Sequence, residues 1–200
     1  DSVGLQEATP EWMEYLKTAL SDKYDYVGIP REDDGEYSSI FYLKDKYNLL
    51  DSGTFWLSET PDVMSKSWGA QFNRVCSYVI LSDKATNENF VVFNTHLSHV
   101  SDEARINGIK VVLDKIKEFG SYPAVIMGDF NALEGSETYK NATENFLDAQ
   151  KVAVKTSDSH TYQNWGNEES FKRITGKQNV IQLYNPLSIE KRKPLVLISA

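Results

Sequence analysis

With 200 residues, 40% of them apolar and 12% aromatic, the chain has the length and composition of one globular domain with a proper core. Its net charge of −8 argues against a protein that grips nucleic acid mainly through a basic surface, because counterion release needs clustered Lys and Arg. An acidic enzyme that holds one or two phosphates through a metal ion and a few placed side chains remains compatible with that charge.

Residues 3–5 read as the end of a buried strand, and Thr9-Pro10-Glu11 supplies a cap, a first-turn proline and an N-terminal acid for a helix. Trp12, Met13, Leu16, Ala19 and Leu20 form the apolar stripe of that helix. The run Lys23-Tyr24-Asp25-Tyr26 leads into the next strand, and Arg31-Glu32-Asp33-Asp34-Gly35 is a turn-rich loop. Residues 39–43, 53–57, 75–81 and 90–93 read as strands, the last two joined across a polar loop at 83–89. Cys76 lies inside one of these runs as a small buried hydrophobe, and as the single cysteine it cannot form an internal disulfide. Ile106, Ile109, Leu113 and Ile116 have helical spacing, with Ser101-Asp102-Glu103 as a start and Gly120 as a stop. Residues 124–127 form the next apolar strand. Beyond 135 the pattern weakens, and 137–146 reads as a short helix or a loop. No apolar run is long enough to cross a bilayer, and no charged-then-apolar leader opens the chain.

The strand at 90–93, the helix and the strand at 124–127 form a crossover unit that returns the second strand parallel to the first. Asn94-Thr95-His96-Leu97 and Gly128-Asp129-Phe130-Asn131 then emerge at one sheet edge, where open sheets bind ligands.

These two stretches resemble the paired motifs of the endonuclease/exonuclease/phosphatase superfamily, which comprises DNase I-like nucleases and their phosphatase relatives. Gly4-Leu5-Gln6-Glu7 resembles the family's Gln-Glu strand end, and residues 51–61 resemble a bacterial branch. The motifs follow the family's order from about 3 to 173. The resemblance implies an α+β fold, a four-layer α/β/β/α sandwich of two mixed sheets. It also implies a single domain over 1–200, incomplete at both ends, with 175–200 as an atypical tail.

By the same resemblance Glu7 binds a divalent metal, Mg²⁺ or Mn²⁺, and Asp129 positions or deprotonates the attacking water. Asn131 orients that water or binds a phosphate oxygen, and His96 donates to the phosphate or assists the leaving group. Glu36 hydrogen-bonds His96 and holds its charged form, and Arg74 binds the substrate phosphate. The bland alternatives stay open: an exposed helix-initiating Glu7, an Asx-type turn at Asp129-Asn131, a structural His96, and ordinary surface charges at Glu36 and Arg74. Trp56, Trp68 and Trp165 line a cleft or pack as core and rim. The implied reaction is metal-dependent hydrolysis of phosphodiester or phosphomonoester bonds, with a nucleic acid or a small phosphoester as partner. The competing reading is a catalytically impaired member acting as a binding or scaffold domain. A cofactor-dependent redox enzyme is disfavoured, because no glycine-rich dinucleotide fingerprint appears.

The resemblance breaks at both ends. The family's first strand with its metal-site asparagine is missing upstream of Gln6-Glu7. Downstream, Ser170-Phe171-Lys172-Arg173-Ile174 enters what should be a core strand, but Thr175 stands where the family has aspartate, and 176–200 holds no Asp or His. Asp158-Ser159-His160 looks like the family's terminal signature, yet it precedes the strand signal Thr161-Tyr162 and reads as a loop. A truncated or altered chain, or a frame change after Ile174, accounts for this. Such a chain is expected to hydrolyse slowly, to pack its last 25 residues unlike the family, and to pair 180–184 and 195–198 as strands if it pairs them at all. A monomer is expected. The compartment stays unassigned, with secretion after removal of an upstream leader as one expectation.

Overall fold

The computed structural model describes residues 1–120 and 122–154 and the strand Leu183–Tyr184. A three-stranded antiparallel sheet, order β1-β3-β2, is built from β1 (Ser2–Gly4), β2 (Tyr24–Val27) and β3 (Ile40–Leu43). A six-stranded mixed sheet, order β4-β5-β6-β7-β9-β8, is built from β4 (Tyr47–Trp56), β5 (Val75–Asp83), β6 (Asn89–His96), β7 (Ala124–Asp129), β8 (Leu147–Asp148) and β9 (Leu183–Tyr184). Among the described residues only β6 and β7 pair in parallel, and the helix between them, α2 (Asp102–Glu118), is the crossover that makes this possible. The other helices are α1 (Pro10–Ala19), α3 (Glu137–Thr143) and α4 (Ala149–Val152).

The two-residue alternation of the strands sorts side chains onto opposite faces. On β3, Ile40 and Tyr42 pack with Val79, Leu81, Val92 and Met127 of the larger sheet, whereas Phe41 between them packs with Met13 and, more peripherally, Leu16 and Leu20 of α1. On the larger sheet, Cys76, Ile80, Val91, Phe93 and Ile126 turn the other way, toward Ile109 and Val112 of α2 and Tyr139 and Ala142 of α3. Each large side chain buried in this way contributes roughly 1.5–3 kcal/mol.

The caps read from the sequence form as expected. The Thr9 side chain accepts from the Trp12 N–H, the Ser101 side chain accepts from the Ala104 N–H, and Gly120 follows α2 at φ +64°. Trp12 departs from the expected stripe: it is 59% exposed and meets Tyr15 edge-on, because Met13, Leu16 and Leu20 already define the face toward β3. Strand β4 starts six residues before the expected 53. Among the described residues it pairs with β5 alone, as an edge strand, so its first half tolerates polar residues, and a bulge between Leu49 and Asp51 breaks its register. The weak region at 137–146 opens with α3, capped by Ser136. Of the expected tail strands, Leu183–Tyr184 lies between β7 and β8, while 195–198, Thr161-Tyr162 and Ser170-Phe171-Lys172-Arg173-Ile174 lie outside the described residues. Among the described residues no helix is long and apolar enough to cross a membrane.

The two sheets are joined by a polar contact as well as by apolar packing. Asn94 of β6 is fully buried; its Nδ2 donates to the carbonyls of Leu5 and Ser39, each at 2.9 Å, and its Oδ1 accepts from Gln6 Nε2 at 2.6 Å. Gly4 makes room for it, since a Cβ there would lie 2.5 Å from Asn94 Oδ1. Replacing Asn94 with Leu should lower the unfolding free energy by about 1–3 kcal/mol for each carbonyl left unpaired. Gly4→Ala should cost about 1–3 kcal/mol by overpacking. Urea unfolding checks both, and an Asn94→Leu protein with an unchanged midpoint would remove this bridge from the account.

Candidate active site

Parallel pairing of β6 and β7 sets His96 opposite Asp129, with Thr95 opposite Gly128. Gly128 has φ +141°, and a Cβ at that position would run into the Thr95 carbonyl, so the residue before the aspartate must be glycine for the strands to close. Beyond the strand ends the two chains stay tied. The Leu97 N–H donates to the Asp129 carbonyl at 2.9 Å, and Asn131 Nδ2 donates to the Leu97 carbonyl at 3.1 Å. The Asn131 N–H donates to Asp129 Oδ1 at 2.9 Å, with Asn131 itself in the left-handed region at φ +45°. The Asx turn is therefore present, and it leaves Asp129 Oδ2 pointing toward His96 Nε2 at 3.7 Å. The Asp129 side chain, on the last residue of β7, is 45% exposed.

Glu7 comes from the other sheet. It follows Gln6, which Asn94 holds, and it is exposed with φ +56°, a conformation that costs a non-glycine residue free energy. Arg74, immediately before β5, is only 5% exposed, and its Nη2 donates to His99 Nδ1 at 2.9 Å. Burial, followed by the neighbouring Arg31, lowers its pKa to about 10, with Glu36, Asp129 and Glu7 acting in the opposite direction. Glu7, Glu36 and Asp129 thus lie near enough to Arg74 for their charges to act on it. Among the described residues Arg74 forms no ion pair, so its charge faces the site unspent.

The expected bond from Glu36 to His96 is replaced. Glu36 Oε2 accepts from Arg31 Nη1 at 2.7 Å, and Arg31 Nε lies 3.4 Å from Glu32. His96 is accordingly not held charged: burial first, then Arg74, Arg31 and His99, push its pKa down to about 3. It is a neutral imidazole at pH 7.

Arg31, Phe72 and His99 were not singled out from the sequence. The Arg31 carbonyl accepts from Trp56 Nε1 at 2.8 Å, its guanidinium sits 4.6 Å from the centroid of the Phe72 ring, and Phe72 in turn stacks with His99 at 6.0 Å. The only sequence cue was a second histidine three residues after His96; the role of Arg31 depends on tertiary contacts. Trp56 is thus a buried support, Trp68 offers its carbonyl to Ser101 Oγ at 2.6 Å, and Trp165 lies outside the described residues. Cys76 is fully buried, and its thiol pKa is raised by that burial.

Among the described residues no three His, Cys, Asp or Glu side chains are arranged as a metal cage. That donor set does not suit zinc, which takes three or four protein ligands. It does suit Mg²⁺, which takes one or two carboxylates and keeps several waters, because Glu7 and Asp129 present hard oxygens to solvent.

Comparison with known proteins identifies the family. The family model for the endonuclease/exonuclease/phosphatase family matches residues 1–177. The chain is similar to the structure of an endonuclease/exonuclease/phosphatase from Bacteroides vulgatus, with TM-score 0.85, 36% identity, and coverage of 93% of this chain and 73% of that one. It is also similar to a family protein from Bacteroides thetaiotaomicron (TM-score 0.77, 29% identity, coverage 93% and 69%). A mannosyl-6-phosphatase from the same organism aligns with TM-score 0.76 and 30% identity, covering 93% of this chain and 71% of that one. No curated protein matches. The fold is α+β and DNase I-like, and the chain belongs to the endonuclease/exonuclease/phosphatase family.

Proposed function

We propose that this chain is a metal-dependent phosphoesterase that hydrolyses phosphomonoester or phosphodiester bonds by attack of an activated water. The observation that carries the proposal is the pairing of His96 with Asp129 at one sheet edge, beside a buried arginine that forms no ion pair among the described residues. On this proposal the three packing clusters are the interlayers of a single four-layer α/β/β/α domain. The net charge favours a small phosphoester over a long nucleic acid, and the similarity to a protein named as a mannosyl-6-phosphatase points the same way.

Glu7 would hold Mg²⁺ or Mn²⁺, whose positive charge offsets that of the phosphate. The Arg74 guanidinium binds a nonbridging phosphate oxygen, a charge-assisted contact that repays part of its burial. Asp129 keeps one carboxylate oxygen fixed by the Asn131 N–H and offers the other to the attacking water as acceptor and base. Asn131 spends one amide hydrogen on the Leu97 carbonyl and retains its side-chain oxygen and a second hydrogen to orient that water. His96, neutral in the free protein, hydrogen-bonds a phosphate oxygen, and the incoming negative charge raises its proton affinity. Glu36 acts indirectly, by holding Arg31 beside Arg74. The second reading is a domain that binds phosphoesters without turning them over; the burial of Arg74, which suits anion binding with or without catalysis, is compatible with it.

Hydrolysis of p-nitrophenyl phosphate, bis(p-nitrophenyl) phosphate and hexose 6-phosphates in Mg²⁺ or Mn²⁺ separates these readings. The expected result is turnover abolished by chelator and restored by metal; binding without turnover would select the second. Asp129→Asn should reduce kcat by about 10²–10⁴ with little change in Tm, the range typical of a lost general base. An Asp129→Asn protein as active as its parent would remove the assigned role.

The protonation state of His96 also carries a stability prediction. Its folded pKa of about 3 lies below the ordinary 6.5, so between these values the unfolded chain binds more protons. The contribution is intact above pH 6.5 and is lost as pH falls toward 3, at about 1.4 kcal/mol per pH unit from this one group. Denaturation series from pH 7.5 to 4.5 should show that slope, and His96→Asn should flatten it.

A further inference from the structure

Phe72 and His99 stand next to the phosphate-facing cation but take no part in the chemistry described above. Arg74 Nη2 lies 2.9 Å from His99 Nδ1. A guanidinium has only donors, so Nδ1 must be the acceptor, and the imidazole proton must sit on Nε2. His99 is therefore a neutral ring with one N–H donor directed away from Arg74, on an exposed loop. Phe72, 36% exposed, stacks with His99 at an interplanar angle of 24°, while the Arg31 guanidinium lies against its ring.

The charges around this shelf define what it can receive. Arg31 is already paired with Glu36, with Glu32 close by, so the shelf has no spare positive charge for a second phosphate. Phe72 already carries Arg31 over its ring, which disfavours stacking of a nucleobase there. What the shelf presents is an apolar rim and one neutral, directional donor. That combination suits the C–H groups and hydroxyl oxygens of an uncharged ring. We infer that Phe72 and His99 form a specificity subsite that receives a hydroxylated, sugar-like ring on the alcohol side of the ester, while Arg74 takes its phosphate. This inference rests on the phosphoesterase reading for the position of the phosphate, but it concerns binding, so it is tested without turnover.

Calorimetric titration in Mg²⁺ with inorganic phosphate, and with the methylenephosphonate analogues of glucose and mannose 6-phosphate, provides that test. The unaltered protein should bind at least one sugar phosphonate more tightly than phosphate. His99→Asn keeps an acceptor for Arg74 where Nδ1 stood, and its amide N–H2 ends short of the place of the Nε2–H donor. It should weaken the sugar phosphonate about 2- to 10-fold, the range for one hydrogen bond, with phosphate binding held within 2-fold. Phe72→Ala should lose sugar binding in the same selective way, and His99→Leu, which also strips Arg74 of its acceptor, should lose both ligands. Equal loss of phosphate and sugar phosphonate in His99→Asn and Phe72→Ala would overturn the inference and leave the pair as props for Arg74. No preference for either sugar phosphonate, or a stronger dependence on Phe72 for a dinucleotide, would also overturn it. Selective binding without any chelator-sensitive hydrolysis would instead refute the enzymatic reading and leave the subsite standing.

Discussion

The arrangement of the site depends on one saturated amide. Asn94 projects from β6 toward the smaller sheet and spends both amide hydrogens on backbone carbonyls there, while its oxygen takes the Gln6 side chain. A buried polar group is tolerated only when its partners are in place, so this contact fixes the offset between the sheets more sharply than apolar packing, which is non-directional. Glu7 follows Gln6 and His96 follows Asn94 by two residues. The distance between the carboxylate of one sheet and the imidazole of the other is thereby set from within the core, and Gly4 supplies the space that the amide needs.

The site distributes its charges unequally. Arg31 is matched by Glu36, with Glu32 nearby, and serves as a fixed positive background. Arg74 is left with a neutral acceptor, and His96 is held neutral by burial and by the two guanidinium groups. A unit negative charge 4 Å from Arg74 gains about 1 kcal/mol in water but about 4 kcal/mol at an effective dielectric constant near 20. Burial thus strengthens the attraction that Arg74 would exert on an anion, in a protein whose net charge of −8 works against it. The exposed carboxylates of Glu7 and Asp129 oppose that same anion, and a divalent cation held at Glu7, as proposed, would supply the compensating charge.

The crossover unit was legible in the sequence because its signals are local: two apolar runs, a capped helix of period 3.6, and polar residues where each run stops. From these follows the emergence of His96 and Asp129 at one sheet edge; the register that sets them opposite each other comes from the structure. The role of Asn94 was not legible, since its three partners lie 88, 89 and 55 residues away. The same holds for Arg31, whose partner Glu36 was assigned to His96; an acidic residue in a turn-rich loop shows no preference in sequence between a histidine and an arginine, and tertiary proximity decided it. Trp12 followed the apolar count but not the geometry, because a narrow sheet accepts a narrow stripe. The early start of β4 was hidden by its polar residues, which an edge strand allows. The charge-rich end of the chain gave weak signals, and only Leu183–Tyr184 of it can be compared with expectation.

The backbone around the site is where this fold accepts strain. Glu7 and Asn131 both sit at positive φ, and the two are not equivalent. Asparagine enters the left-handed region readily, and there its amide is carried back to the Leu97 carbonyl, so Asn131 supplies both turn and amide. Glutamate has no such ease, and a conformation of this kind costs of order 1–3 kcal/mol. Glycine at position 7 would adopt it freely but would bring no carboxylate. The strain is sustained because the flanking chain is fixed on both sides, by the Gln6 clamp before it and by Ala8, whose carbonyl accepts from the Tyr37 N–H, after it. A cost equal to about one buried apolar side chain is thus borne at the residue whose carboxylate would hold the metal, and the packing between the sheets is what meets it.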